Sequence, residues 1–389
     1  MKALGSIVIG LLVALSARAA ELPSKTDISL LQEVARAQAR GLDWLVQQQK
    51  EDGSWNNHPA ITGLAVTSIA RSGKSLTEEQ KAAVERGVKF ILTNVKPNSA
   101  IYGGGETDKY PNYSTAICTM ALVATGDPKH HEVIRRARVF LLDSQFDETE
   151  NVAESDPSWG GVGYGRRQRP DLSNMSWALE ALKLTEQFDI QDPEAPQPAT
   201  KLHWERAVQF LQRCQNLPSH NDQPWAKQAT DADLGGFIYM PGFSFVNEEQ
   251  KLPDDANARL LSQGSMSYAG LKSYIYADLK KNDPRVVAVI NWLKRNYTLD
   301  ENPGMGTQGL FYYLQMMAKA MTAYGADTFT TADGKERDWR YEMLKKFVQT
   351  QKADGYWQNE NNRFWENDPV LVTTYSLLAL EILQQRRYP

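Results

Sequence analysis

From about Leu31 to Leu383 the chain alternates two kinds of apolar segment. In the first kind, apolar residues recur three and four apart and charged residues fill the rest; these segments are centred on Trp44-Leu45, Phe90-Ile91, Phe140-Leu141, Phe210-Leu211, Trp292-Leu293 and Phe347. That spacing predicts amphipathic helices. The second kind begins near Ile61, Ser114, Ser173, Ser265, Gln308 and Val370 and is apolar or small nearly all round, as in Ser176-Trp177-Ala178-Leu179. A helix apolar on most faces is buried. A Gly-rich turn separates the two kinds within each pair, at Asp52-Gly53, Gly103 to Gly105, Gly160-Gly161, Gly235-Gly236, Gly304 to Gly306 and Asp354-Gly355. Six outer helices, each followed by an inner one, predict an all-α (α/α)6 toroid with the inner helices around an axis. An open superhelix built of the same pairs would need polar caps at both ends.

The turns carry a repeated motif. Gln49, Asp52-Gly53 and Trp55 recur as Gln351, Asp354-Gly355 and Trp357, and Gln145 and Gln215 hold the Gln position of weaker copies. The glutamine falls at a helix C-terminus, where carbonyls lack partners, and its amide is placed to bond them and the next turn. Glycine permits the tight turn. The tryptophan then plugs the junction between neighbouring units, so the motif reads as structural. Two loops are long, near residues 148–170 and 218–264; the second holds the aromatic stretch 236–246. Long loops in compact domains are often lids. This one is expected to pack on the toroid as a small hairpin, to cover the cavity mouth, or to touch a membrane surface peripherally.

Composition narrows the functional classes. The net charge is −4 with no basic stripe, which argues against nucleic acid. Cys118 and Cys214 fall on different helices as buried positions outside any metal-ligand spacing, so free thiols are expected and no metal or cofactor is implied. Residues 1–19 combine Lys2, an apolar run and a small-residue Ala17-Arg18-Ala19 site, the pattern of a signal peptide. The expectation is export, periplasmic or secreted, with residues 20–389 as a single toroid domain. No later stretch is long and apolar enough for a transmembrane span.

The Gln, Asp-Gly, Trp motif after an aromatic-aliphatic helix end resembles the repeat of squalene and oxidosqualene cyclases, and a related form occurs in protein prenyltransferases. The resemblance covers most of the chain and implies the terpenoid cyclase/prenyltransferase fold. If the protein is an enzyme, it implies a terpene cyclase-like isomerase. Class II cyclases protonate an alkene or epoxide with the middle acid of an Asp-x-Asp-Asp-Thr-Ala motif. Here the matching run is Asp171, Leu172, Ser173, Asn174. Asp171 is the candidate catalytic acid by that resemblance, while Ser173 in the donor position argues that the chemistry is lost, since a hydroxyl is too weak an acid. Asp171 also reads as an ordinary helix N-cap beside Pro170. Prenyltransferase zinc needs Asp, Cys and His, and the corresponding positions are Ser265, Ser267 and Val372, so the resemblance does not extend to that metal. Asp231, Asp233, Asp254 and Asp255 read as solvated loop acids.

The tops of the inner helices would line a central cavity, with His58, Tyr113, Asn174, Trp177, Tyr268, Tyr312, Trp365, Asp368 and Tyr375 as candidate ligand-binding residues. His58 could act as a base with Asp368 if the first and last units meet, or cap its helix. Three readings stand: a cyclase-like protein holding an apolar, amphipathic or lipid-like small molecule without the protonation chemistry; a non-catalytic binding or scaffold module; and a carbohydrate-active enzyme, which would need paired carboxylates in the cavity.

Overall fold

The computed structural model describes residues 25–72, 75–105, 109–165, 168–188, 202–252 and 258–384; the expected signal peptide and the Asp254-Asp255 pair lie outside them. The outer helices are α1 (Lys25–Gln47), α3 (Glu78–Thr93), α5 (His131–Leu142), α7 (Trp204–Cys214), α10 (Pro284–Arg295) and α12 (Trp339–Thr350). The inner helices are α2 (Pro59–Ala70), α4 (Pro111–Thr125), α6 (Leu172–Thr185), α9 (Gly264–Tyr276), α11 (Leu310–Tyr324) and α13 (Pro369–Gln384). A five-residue helix, α8 (Phe245–Glu249), lies in the long fourth insertion. Each inner helix packs on the next around the axis, and α13 packs back on α2, so the ring is closed. The first outer helix, α1, lies against both helices of the last pair, α12 and α13. The alternation of half-apolar and fully apolar segments thus becomes an all-α toroid with an outer shell and an inner wall, as the sequence pattern predicts.

The inner helices are buried along almost their whole length; in α2 every residue from Pro59 to Ile69 is buried. Such a helix has no face that water could solvate, and only a neighbour on each side covers it. The outer helices bury one stripe, for example Ala83, Gly87, Val88 and Ile91 in α3. Apolar burial on this scale contributes roughly 25 cal/mol per Å².

Four glutamines hold the units to one another. Gln49 Nε2 donates to Gly53 O at 2.9 Å and to Ala83 O in the next outer helix at 2.8 Å. Gln145 donates to Gly160 O and to His203 O at the start of α7, and its Oε1 accepts from His203 N. Gln215 donates to Gly235 O and to Arg285 O in α10, and Gln351 to Gly355 O and to Ala37 O in α1. The expected bond to the glutamine's own helix end does not form. The amide instead clips its own turn to the following unit, and Gln351 closes the ring.

The glycine in each clip cannot be replaced cheaply. Gly53, Gly160, Gly235 and Gly355 have φ between +84° and +99°, and a Cβ at any of them would collide with the carbonyl of Arg86, Arg206, Ala288 or Arg40 on the next outer helix. Trp55 and Trp357 are fully buried, and their Nε1 atoms donate to Leu45 O at 2.7 Å and Phe347 O at 2.8 Å. The rings lie against Gly87 and Gly41 of the following outer helices, where only the missing side chain leaves room. They plug the junctions as expected.

The clip makes two quantitative expectations. Gly235→Ala forces an alanine into the left-handed region against a backbone oxygen and should lower unfolding free energy by about 2 kcal/mol or more. Gln351→Ala leaves two carbonyls without the amide and should cost about 1–2 kcal/mol. Urea unfolding followed by circular dichroism measures both.

Candidate functional site

All six inner helices start at one end of the ring, and a cavity of about 310 Å³ opens among those starts. Its wall is largely aromatic. Tyr110, Tyr113 and Tyr164 line one side, Tyr239 and Phe245 another, and Tyr312, Tyr375, Phe364 and Trp365 the rest, with Trp177 among the lining residues. The rings touch in sequence: Tyr110 and Tyr164 at 5.0 Å, Tyr239 and Phe245 at 4.5 Å, Phe245 and Phe364 at 5.4 Å, Tyr312 and Tyr375 at 5.9 Å. Offset and edge-on packing of this kind suits the ring quadrupoles. The polar lining comprises His58, Ser173, Gln263, Ser265 and Asn302. Ser173 Oγ and Tyr312 OH share a hydrogen bond at 2.9 Å. Gln263 Nε2 donates to Ser265 Oγ at 3.0 Å, while its buried Oε1 makes no hydrogen bond within the described protein.

Six of the residues read from sequence line this cavity: His58, Tyr113, Trp177, Tyr312, Trp365 and Tyr375. Four do not. Asn174 is buried behind the wall, where its Nδ2 donates to Asp171 Oδ2 at 2.6 Å. Tyr268 points into the core, its ring 5.5 Å from that of Tyr313. Asp368 caps α13, accepting from Val370 N at 2.8 Å, and receives the amide of Asn56 from the first unit. His58 is the N-cap of α2 through Nδ1, which accepts from Ala60 N at 3.1 Å, and burial lowers its pKa to about 4. The first and last units do meet, through Asn56 and Asp368, but no hydrogen bond joins His58 to Asp368 among the described residues. The neutral ring of His58 packs edge-on to Trp365 at 6.1 Å.

Asp171 is not part of the lining either. It is buried, caps α6 by accepting from Asn174 N at 2.9 Å, and also accepts from the Tyr239 hydroxyl. Burial pushes its pKa up to about 6, although these donors favour the charged form. Tyr239 is itself part of the cavity lining, and Asp171 is not. Asp233, read as a solvated loop acid, is buried instead and bound by Arg259 at 2.6 Å, while Asp231 is exposed.

The aromatic stretch 236–246 is turned inward. Phe237 and Ile238 are fully buried, Tyr239 and Phe245 line the cavity, and none of its residues is exposed. The stretch packs on the toroid and forms part of the cavity wall, with Tyr239, Met240, Phe243 and Phe245 half-buried. Met240 and Phe243 pair across the tight turn of a small hairpin. The other long loop supplies Tyr164, and Asn112 holds it to α4 by donating to Gly163 O and Tyr164 O.

At the mouth, Phe364 and Trp365 are both exposed and both have positive φ, 57° and 62°. Consecutive non-glycine residues in that region store strain, and such strain collects at ligand clamps. Glu366, fully buried, keeps the loop in place by accepting from Phe311 N, Tyr312 N and Asn359 Nδ2. It caps α11 from outside, where Gly309 provides no side chain.

Trp177 also lines a second cavity of about 780 Å³ among the C-terminal ends of the inner helices. Glu180 there accepts from Lys272 at 2.6 Å and Lys319 at 2.8 Å. The two ammonium groups lie 5.5 and 4.1 Å from the Trp177 ring centre. Burial would raise Glu180, but the two lysines hold it at about 2; burial lowers Lys319 to about 8 against the pull of Glu180. Sequence reasoning missed this cluster, Tyr239, Phe245 and Phe364. The signal for the cluster was the lone lysine in each of α9 and α11, together with Glu180, one of two charges in α6.

The molecule is thus a closed α/α toroid with an aromatic chamber at one mouth of its axis, a class defined by geometry. It has the terpenoid cyclase-like fold. A type II terpene cyclase from Scytonema, solved as a variant with its substrate geranylgeranyl dihydroxybenzoate, matches 92% of this chain and 98% of its own at 11% identity and TM-score 0.51. Protein geranylgeranyltransferase-I from Candida albicans matches 90% of this chain and 92% of its own at 12% identity and TM-score 0.52. In sequence, squalene–hopene cyclase from Alicyclobacillus acidocaldarius subsp. acidocaldarius is 28% identical over 166 residues, 40% of this chain; the match spans a quarter of that enzyme's length. No protein-family model matches the chain.

The cap role of Asp171 has a pH signature. Burial holds its pKa at about 6, above the ordinary range of an aspartate. The native chain therefore holds this proton more tightly, and its stabilising share is present below about pH 4 and lost as pH rises through 6. Two pH units correspond to roughly 3 kcal/mol. Asp171→Asn retains a capping oxygen and abolishes the decline, so urea unfolding from pH 4 to 7 should show the variant gaining on the wild type by up to that order.

Proposed function

We propose that the aromatic chamber binds a compact, mainly apolar molecule with one or two oxygen functions, terpenoid in class, and holds it without protonating it. The observation that carries this reading is the lining itself: ten aromatic rings, hydroxyls and amides, and no carboxylate among the described lining residues. The volume is at the lower end of small-molecule sites. Gln263 Oε1, a buried acceptor without a protein partner, is placed to receive a ligand hydroxyl. The fold shared with an isoprenoid-binding cyclase supports the ligand class.

Three features argue against cyclisation. Ser173 faces the chamber where a strong acid would be required, and a hydroxyl does not protonate an alkene. His58 is neutral at pH 7. The π system of Trp177 is engaged by Lys319 and Lys272, so this ring is a poor partner for a carbocation, which would also be repelled by the two ammonium groups. Glycoside hydrolysis needs two carboxyl groups flanking the bond, about 5–9.5 Å apart, and the described lining offers neither.

Titrating purified protein with geranylgeraniol while following tryptophan fluorescence tests the reading. Saturable quenching is expected, weakened about fivefold by Trp365→Ala for loss of roughly 1 kcal/mol of ring contact. Saccharide binding in place of the isoprenol, or a cyclised product from a polyprene that disappears in Asp171→Asn, would overturn it.

A further inference from the structure

The cavity at the other end of the ring is a separate site in character. Its deepest described groups are two lysines sharing one carboxylate: the Lys272 side chain is 0% exposed, that of Lys319 9%, and that of Glu180 14%. The remaining charges of the lining pair off. Arg71 binds Glu381 at 3.0 Å, and Lys183 binds Glu186 at 3.2 Å. Lys183 also lies 3.8 Å from Asp278, so the excess is local: at Glu180 two ammonium groups share one carboxylate, next to a cavity of about 780 Å³. A buried ammonium group without a carboxylate of its own is costly. Trp177 and the carbonyl ends of the inner helices offset part of the cost, since both attract cations. Neither supplies a full negative charge.

Alongside its charged groups the lining includes the apolar side chains Leu64, Ile117, Met120, Leu378 and Ile382. A ligand matching both features carries a single negative charge at one end and a hydrocarbon body behind it. We infer that this second cavity binds an amphipathic monocarboxylate of fatty-acid type, with its carboxylate beside Lys319 and its chain along the apolar wall. Lys319, rather than Lys272, is the contact because it lines the cavity, while Lys272 is wholly enclosed. The site is distinct from the aromatic chamber, and the inference does not depend on what that chamber holds.

Calorimetric titration of the full chain with decanoate, decanol and acetate at pH 7 tests it. Decanoate should bind at least tenfold more tightly than decanol, which has the chain without the charge, and than acetate, which has the charge without the chain. Lys319→Met should weaken decanoate at least tenfold, and Trp365→Ala, at the opposite mouth, should leave it unchanged. If Lys319→Met does not fold, Arg71→Ala at the cavity rim replaces it, with a threefold or greater loss expected, and the three-ligand comparison on the wild type stands unaided. Equal binding of decanoate and decanol, or no binding of decanoate, overturns the inference. So does decanoate binding that falls with Trp365→Ala but not with Lys319→Met, which would locate it in the aromatic chamber and leave the proposed function standing.

Discussion

The fold depends on one repeated contact, the glutamine amide that ties each turn to the outer helix of the next unit. A fully apolar inner helix can be hidden only if its neighbours arrive at a fixed angle, six times over. The clip sets that angle because it joins three backbone segments through one planar group, and the glycine beside it lets two of those backbones meet. Two units lack it. Counted from the aromatic-aliphatic pair, Val95 and Tyr297 stand at the glutamine position there, and the preceding Asn94 and Asn296 donate to Phe90 O and Trp292 O of their own helices. In the second unit a bridge between Val95 and Ile101 closes the turn instead. In the fifth, Asn302 takes over, accepting from Ser265 N and donating to Gln308 O, so it ties the turn to α9 of the preceding unit. The closing contact, Gln351 to α1, is of the full kind.

Closure in this direction gives the ring an electrical polarity. Six helix N-termini surround the aromatic chamber and six C-termini surround the other cavity. Asp171, Asp368 and Glu366 satisfy N–H groups at the first end, while Lys183, Lys272 and Lys319 lie toward the second, paired there with Glu186 and Glu180. With their carboxylates spent on capping, none of these three acids is in the described chamber lining. The polarity and the lysines beside Trp177 bias the chamber in one sense, against a cationic occupant.

The helix pairs, their order and the ring were legible because burial leaves a period in the sequence, and a helix buried all round leaves a different one from a helix buried on one side. The starts of the inner helices were readable within a few residues, since proline, histidine and aspartate there serve as caps. The chamber was legible where it is built from inner helices, as at Tyr113, Trp177, Tyr312 and Tyr375. It was not legible where loops complete it. Tyr239 and Phe245 belong to a stretch whose aromatic content suits a core, a lid or a membrane surface equally, and only the three-dimensional path of the insertion decides between them. Asn174 and Tyr268 were misassigned for a related reason: on a helix buried on every side, sequence does not say which direction is the axis.

That last ambiguity bears on the chemistry. Asp171 and Ser173 are two residues apart at the start of α6, and the first turn of a helix sends such side chains in different directions. Asp171, as N-cap, turns its carboxylate back onto Asn174 N, so capping and service to a ligand in the chamber compete for the same oxygens. Ser173 is the position that faces the chamber and meets Tyr312. An acid able to donate to a bound alkene would have to stand at the second position, since the first is held by the helix it begins. In this chain that position is a hydroxyl, which shares a hydrogen bond with Tyr312 at 2.9 Å. The wall of the chamber is therefore aromatic, and the polar groups in its described lining are hydroxyls, amides and a histidine rather than carboxylates.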